Sequence, residues 1–428
     1  MHNKKILLVI IFLIYLVARS VSNLPALSKP RQLADTISYT RVSKETLQNQ
    51  KIWSDARPFV FPLLLKISKQ DFPITAALQL GFSILAWGLL ASTISASFRS
   101  TNLTLFSFTL ILVLSLARCL ASWDYVMLTE SLSVTFFVLF LALGISLAKE
   151  WKPYKVILLI ITAFFFAFTR DTNAYLLLML AGMLAFAIIF RWIKPRALIL
   201  VISFLFIFVL NNYTSNLGGR WIFPLNNIIG KRVLTDSVAL KDFENCGMPV
   251  TPELLALADT FANGQERAFY ESPELENYRA WLYADGKSCY IKYLLSNPIR
   301  SIVDSLNQFE ALIRFDALSK FFARPYDPVI PYFFEPFIYP VNFIFPLWVL
   351  LTIISLVAIW QHAWKSNLLW GIYILLCLPI FPHLFITWHG DAMAVERHAL
   401  SVGLQLALSF WTVIFLLLDK FTQSRKNG

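Results

Sequence analysis

Several ionisable side chains sit at the ends of long apolar runs, where charge is costly and is usually kept for a reason. In chain order they are Asp35 with Tyr39 four residues on, Asp55 with Arg57, Glu130, Arg170-Asp171, and Glu396-Arg397-His398 preceded by His389-Gly390-Asp391. A carboxylate held in such a place can accept a proton from a reacting hydroxyl. A guanidinium can take two phosphate oxygens at once. Each residue also has a plainer reading. Asp35 could be a solvated loop acid and Asp55 an exposed partner of Arg57, contributing little. Glu130 could be an acid favoured by the dipole of a helix start. Arg170 could pair with Asp171 or anchor at the membrane interface. His389, Asp391 and His398 are metal-ligand types, but two His and one Asp on a loop read first as solvated side chains, so no metal site is assigned.

The elements that must position these residues are membrane helices. The chain has 428 residues, 57% hydrophobic and 15% charged, with a mean hydropathy of +0.62, outside the range of soluble domains. Thirty-eight Phe and thirteen Trp against fourteen Gly exclude a disordered or collagenous chain. Ten apolar runs, approximately 5 to 21, 74 to 98, 103 to 121, 125 to 147, 155 to 169, 173 to 190, 197 to 212, 337 to 360, 367 to 386 and 398 to 418, approach the length of about 20 residues that a span needs. The fifth is the shortest and could join the sixth as a hairpin. The fold class expected is therefore all-α and polytopic, with about ten transmembrane helices, a helical first outer loop and a larger, mostly helical outer segment before the eighth span.

With the N-terminus inside, every inner segment is basic: Lys4-Lys5, Arg99, Lys149 to Lys155, Arg191 to Arg196, Lys365, and Lys420 to Lys426. Residues 213 to 335 carry 12 basic and 15 acidic residues, a net of −3, so of the chain's +11 the membrane-flanking part carries +14. That placement accounts for the basic excess without nucleic acid as a partner. Both termini are expected in the cytoplasm and the large loops outside. Ala18-Arg19-Ser20 would serve as a signal cleavage site, but the run through Val21 is longer than a usual signal h-region and favours a retained helix. Three units follow: an N-terminal transmembrane module, 1 to 212, carrying the first outer loop at 22 to 73; an outer segment, 213 to 335; and C-terminal helices, 336 to 428. Within the outer segment, Leu254 to Tyr270 and Pro273 to Leu295 read as helices, Pro298 to Phe322 as an amphipathic helix on the membrane surface, and Phe321 to Phe345 as an interfacial aromatic stretch. Cys246 and Cys289 share this segment, and spacing leaves a disulfide and two separate thiols equally open.

The first loop reads Ala34-Asp35-Thr36-Ile37-Ser38-Tyr39, and later Arg57-Pro58 followed by Pro62-Leu63-Leu64-Leu65. Here the chain resembles the polytopic glycosyltransferases of the C superfamily, the protein mannosyltransferase and aminoarabinose transferase type enzymes. Further on, Thr129-Glu130-Ser131-Leu132, Thr169-Arg170, Asn297-Pro298 and Arg397 resemble stretches at corresponding places in that family. The resemblance implies Asp35 as catalytic base, with Asp55 as a fallback, and Glu130 orienting acceptor or catalytic-loop groups. It implies Arg170 and Arg397 on the carrier phosphate, with Tyr39 and Arg57 at the substrate. His398 is a weaker candidate. Thr36 stands where many relatives have Glu, which removes any contact made by a second acid. No cofactor is assigned.

The activity implied is transfer of a sugar from a polyprenyl-phosphate carrier to a lipid, glycan or protein acceptor, in a bacterial inner membrane. A transporter or flippase is the alternative, against which stand the few buried charges in the spans and the lack of an inverted repeat. A glycan polymerase or ligase is the other. The charge pattern sets a first test: in a cysteine-free background, a cysteine at 260 reacts with an impermeant thiol reagent in intact cells, and one at 193 only after permeabilisation. Reaction at 193 in intact cells inverts the topology.

Overall fold

The computed structural model describes residues 2–264, 267–314, 316–322, 330, 332–339 and 343–427. The long helices are α1 (His2–Leu27), α2 (Ala34–Ser43), α3 (Val60–Ile67), α4 (Phe72–Ser95), α5 (Thr101–Ser115), α6 (Glu130–Lys149), α7 (Pro153–Ala167), α8 (Asp171–Ile189), α9 (Leu198–Leu217), α10 (Pro298–Asn307), α11 (Ile344–Trp360), α12 (Leu369–Cys377), α13 (Ile380–Gly390) and α14 (Leu400–Asn427), joined by shorter helical turns. The protein is an all-α, polytopic membrane protein. Among the described residues seven helical stretches are long and apolar enough to cross a bilayer, and an eighth is counted if α5 and the helical turn Arg118–Tyr125, bent by 60° from it, form one broken span. This is fewer than the ten runs of the sequence. Helices α7 and α11 are apolar but only 15 and 17 residues long, and the fourth run starts five residues late because Ser122–Tyr125 turns as a short 3₁₀ segment ahead of Glu130.

Local chemistry sets several boundaries. Asp71 caps α4 by accepting from the Ile74 amide at 2.9 Å, and Pro153 opens α7, where a missing amide proton costs nothing. α6 lies against α4 and α7, α9 against α7 and α8, and α14 against α12, α13 and α6. Their buried faces merge into one continuous apolar core.

The outer segment has a second core of its own, built on Leu225, Ile229, Phe243, Leu254, Phe269 and Tyr278. Pro273 to Leu295 is helical nearly throughout, with one π turn at Leu282–Gly286. Leu254 to Tyr270 is not one continuous helix: among the described residues Pro252–Leu255 and Ala268–Glu271 are α-helical, and Asp259, in the left-handed region at φ 61°, breaks the run between them. The amphipathic helix ends at Asn307 and continues as the short Phe309–Ile313. Much of 321 to 345 falls outside the described residues; its described parts include the turns Tyr332–Phe334 and Glu335–Ile338. Cys246 and Cys289 are free thiols.

One charged pair lies inside the bundle. Arg19 of α1 and Asp124 approach to 2.8 Å with side chains 1% exposed each, and Ser131 donates to the other Asp124 oxygen at 2.7 Å. Arg19 also donates to the Ser115 carbonyl. The Ala18-Arg19-Ser20 tripeptide thus lies toward the C-terminal end of α1, and its arginine holds the approach to α6. Breaking a buried pair leaves a lone charge and costs roughly 3–5 kcal/mol, whereas replacing both partners by apolar groups is often neutral. Asp124→Asn should lower the unfolding midpoint steeply, and Arg19→Met with Asp124→Leu should recover most of it. Equal midpoints for parent and Asp124→Asn would remove the pair as a stabilising contact.

Candidate functional site

The start of α6 brings together side chains from four distant parts of the chain. The first loop reaches it through a single parallel bridge: the Arg31 amide donates to Tyr125 O and the Met127 amide to Arg31 O, both at 2.9 Å. Thr36 reinforces this contact. Its hydroxyl accepts from the Leu33 amide at 3.0 Å and donates to Met127 O at 3.0 Å. Thr36 is thereby buried, and it fixes Asp35 at the first turn of α2.

Asp35 is clamped from both sides. Arg57 donates to Oδ1 at 2.6 Å and to Ser38 Oγ at 2.7 Å, while Arg397 donates to Oδ2 at 2.8 Å. The Arg57 guanidinium lies 5.0 Å from the Tyr39 ring centre, and Tyr39 itself rests edge-on against Phe61 at 5.2 Å. Beneath the clamp sits Glu130, 1% exposed, whose Oε1 accepts from Arg170 at 2.7 Å. Arg397 Nε lies 2.9 Å from the same oxygen, off the line of a hydrogen bond, and Glu130 Oε2 has no hydrogen-bond partner among the described residues. Arg170 also donates to Arg397 O at 2.9 Å, closing the ring.

The supports are specific. Asn173 ties the Arg170 turn to α6 through Ser133 Oγ at 2.9 Å and to Thr169 Oγ1 at 2.9 Å. Asp171 does not pair with its neighbour Arg170; it takes Arg220 in a two-point contact at 2.9 and 3.0 Å. Ala394, in the left-handed region at φ 50°, turns the chain into Val395–His398 and aims Arg397 back across the bundle.

Burial pushes the Asp35 carboxyl up, but the Arg57 and Arg397 guanidiniums outweigh it and hold the group below its ordinary range. For Arg397 burial works against the charged form, and Glu130 and Asp35 more than compensate, so its pKa rises. Arg170 goes the other way: burial lowers it, with Glu130 opposing. His398 is pushed well below its ordinary value by burial and by the neighbouring Arg170, Arg397 and Arg57, so it is neutral at pH 7 and adds no charge to the group. Three guanidiniums therefore face two carboxylates, leaving one surplus positive charge at the end of the bundle where Asp35 remains 25% exposed.

Five of the residues singled out from sequence, Asp35, Arg57, Glu130, Arg170 and Arg397, form this cluster, with Tyr39 beneath it and His398 beside it. Asp55 stands apart, facing Arg41 at 3.3 Å and accepting from the Ala56 amide at 2.5 Å. Its backbone is pressed against the end of α9, where a Cβ on Gly218 would lie 2.3 Å from Asp55 O. The 389–391 loop is not the solvated turn expected. Tyr290 donates to His389 O at 2.9 Å, Arg232 donates to Trp388 O at 2.6 Å and to Asp391 O at 3.0 Å, and Asn227 donates to Asp391 at 2.9 Å. The loop clasps the outer segment to the last spans. Among the described residues no three His, Cys, Asp or Glu side chains are grouped to hold a metal ion.

No protein-family model matches the chain, and no curated protein sequence matches it significantly.

Glu130 is the hinge of the electrostatics. Glu130→Gln raises the surplus charge from one to two, so the unfolding midpoint should fall, and inorganic phosphate should restore more of it than chloride at equal ionic strength. Equal recovery by both salts would show that the cluster has no particular affinity for phosphate.

Proposed function

We propose that the protein is a membrane glycosyltransferase of the C-superfamily kind, moving a sugar from a polyprenyl-phosphate carrier to a lipid, glycan or protein acceptor at the outer face of a bacterial inner membrane. The observation that carries the reading is Asp35 held between Arg57 and Arg397, with Arg397 linked through Glu130 to Arg170, at the end of the bundle opposite the basic loops. The positive-inside bias of the opposite loops supports an outer position for that end.

The reaction breaks the bond between the anomeric carbon and the carrier phosphate oxygen and forms one to the acceptor oxygen. The acceptor's proton goes to Asp35, and the bonding pair leaves with the phosphate. A base between two arginines is ionised but weak, so the reading gives the clamp a second purpose. An arriving phosphate competes with Asp35 for Arg397 and Arg57, and each guanidinium that turns to it frees a carboxylate oxygen and makes it more basic. Glu130 keeps Arg170 and Arg397 oriented throughout. Stabilising charge on a leaving group in this way is commonly the largest contribution to such catalysis.

The roles separate in the variants. Asp35→Asn should lower turnover about 10² to 10⁴-fold, the usual contribution of a general base, and leave binding of a short-chain polyprenyl phosphate intact. Asp55→Asn should be mild. Arg170→Lys keeps the charge but loses the two-point geometry, so it should weaken use of the lipid donor. Because Asp35 is held below its ordinary range, its ionised form persists as pH falls, and kcat/KM should stay level from neutrality down to about pH 4. Purified Asp35→Asn turning over within a few-fold of the parent would overturn the reading and leave transport to be tested.

A further inference from the structure

The opposite end of the bundle contains a different kind of site. A cavity of about 900 Å³ opens between α6, α8, α9 and α12. Its walls are Phe140, Gly144, Leu180, Met183, Leu200 and Ile372, with Gln405 the rare polar group among them. Along α6 it begins at Phe137 and runs to Ala148, so at 1.5 Å per residue it lies roughly 10 to 27 Å from Glu130 and does not reach the charged cluster.

The mouth has a distinct composition. Trp151, Trp192 and Trp364 ring it, together with Lys194 and Arg196. Trp192 and Trp364 pack with ring centres 5.0 Å apart and planes tilted by 40°, and the Arg196 guanidinium lies 4.7 Å from the Trp151 ring centre. Both basic residues are exposed, and neither has a carboxylate partner among the described residues. The acids of this end are committed elsewhere: Glu150 to Lys152 and Lys155 at 2.8 and 3.2 Å, and Asp419 to Gln423 and Asn367 at 2.9 and 3.4 Å.

A hydrocarbon-lined chamber with a tryptophan rim and two unneutralised cations suits a molecule with apolar chains and an anionic head. We propose that this cavity binds an acidic phospholipid of the leaflet facing the basic loops, acyl chains inside and phosphate against Lys194 and Arg196. The site is separate from the proposed donor site and does not depend on that function. Two glycines show that the space is open. A Cβ on Gly144 or on Gly182, both lining residues, meets nothing within 4 Å. A larger side chain at either position would enter the chamber, and the change improves helix propensity.

Native mass spectrometry of the detergent-purified full chain tests this with three probes: phosphatidylglycerol, phosphatidylcholine of the same acyl chains, and a polyprenyl phosphate. The parent should retain phosphatidylglycerol about tenfold or more over phosphatidylcholine, as two basic residues near an anionic head imply. Lys194→Ala with Arg196→Ala should erase that preference. Gly144→Phe should lower phosphatidylglycerol retention about tenfold, and Gly182→Leu serves if Gly144→Phe does not fold, as judged by its unfolding midpoint. Equal retention by parent and filled variants, or no head-group preference in the parent, overturns the proposal. Preferential retention of polyprenyl phosphate, lost on filling, would overturn it too and assign the chamber to a carrier tail.

Discussion

A charge inside the hydrocarbon of a bilayer must bring its own counter-charge, because no water is there to serve. That constraint organises this protein. Arg19 is matched by Asp124 in the interior, Asp171 by Arg220 at the head of α8, and Arg170 and Arg397 by Glu130 at the head of α6. Each pair joins segments far apart in sequence, so satisfying the charges and assembling the helices are the same event. The apolar faces drive compaction without choosing among registers, since one leucine surface resembles another. The ion pairs make the choice.

The Asp35 cluster differs from the Arg19 to Asp124 pair in two respects: it is partly open and not electrically balanced. Arg19 and Asp124 neutralise each other and are closed off, which suits a structural contact. Asp35 and Glu130 face three guanidiniums, and the surplus sits where the carboxylate meets the outside. A purely architectural group gains nothing from an unbalanced cation in that position. The imbalance is why we read the cluster as a place for an anion and the Arg19 pair as a fastening.

The sequence makes the membrane class and most of the helices readable because long apolar runs leave little choice. Its ten runs fall, among the described residues, on seven long apolar helices, one bent pair after Ser115, and two apolar helices, Pro153–Ala167 and Ile344–Trp360, too short to count by length alone. It misreads Leu254 to Tyr270, whose apolar residues serve the second core through turns. Position at the ends of apolar runs, together with the family resemblance, picks out Asp35, Arg57, Glu130, Arg170 and Arg397, and the fold brings them together; their chemical roles rest on the proposal. Arg19, Asp124 and Arg220 are not singled out in advance, since pairing across 105 or 49 residues leaves no periodic trace. The one available signal is a lone arginine in an otherwise apolar first run. Glu130 is similarly deceptive: at a helix start it looks like a dipole acid, and only the three-dimensional arrangement reveals two arginines on it.

The Arg19 to Asp124 contact also sets a schedule for the protein's making. The two residues are 105 apart in the chain, and at about 5–20 residues per second a ribosome needs on the order of 5 to 20 s to pass from one to the other. During that interval α1 has already left the ribosome with an arginine near its far end and nothing to neutralise it. The nascent helix must wait at the insertion machinery or with its guanidinium drawn toward the headgroups, and it can settle to its final depth only when Asp124 arrives. The contact around Arg19 is therefore completed only by the third span, α5 with the turn Arg118–Tyr125, and a chain stalled before residue 124 lacks it.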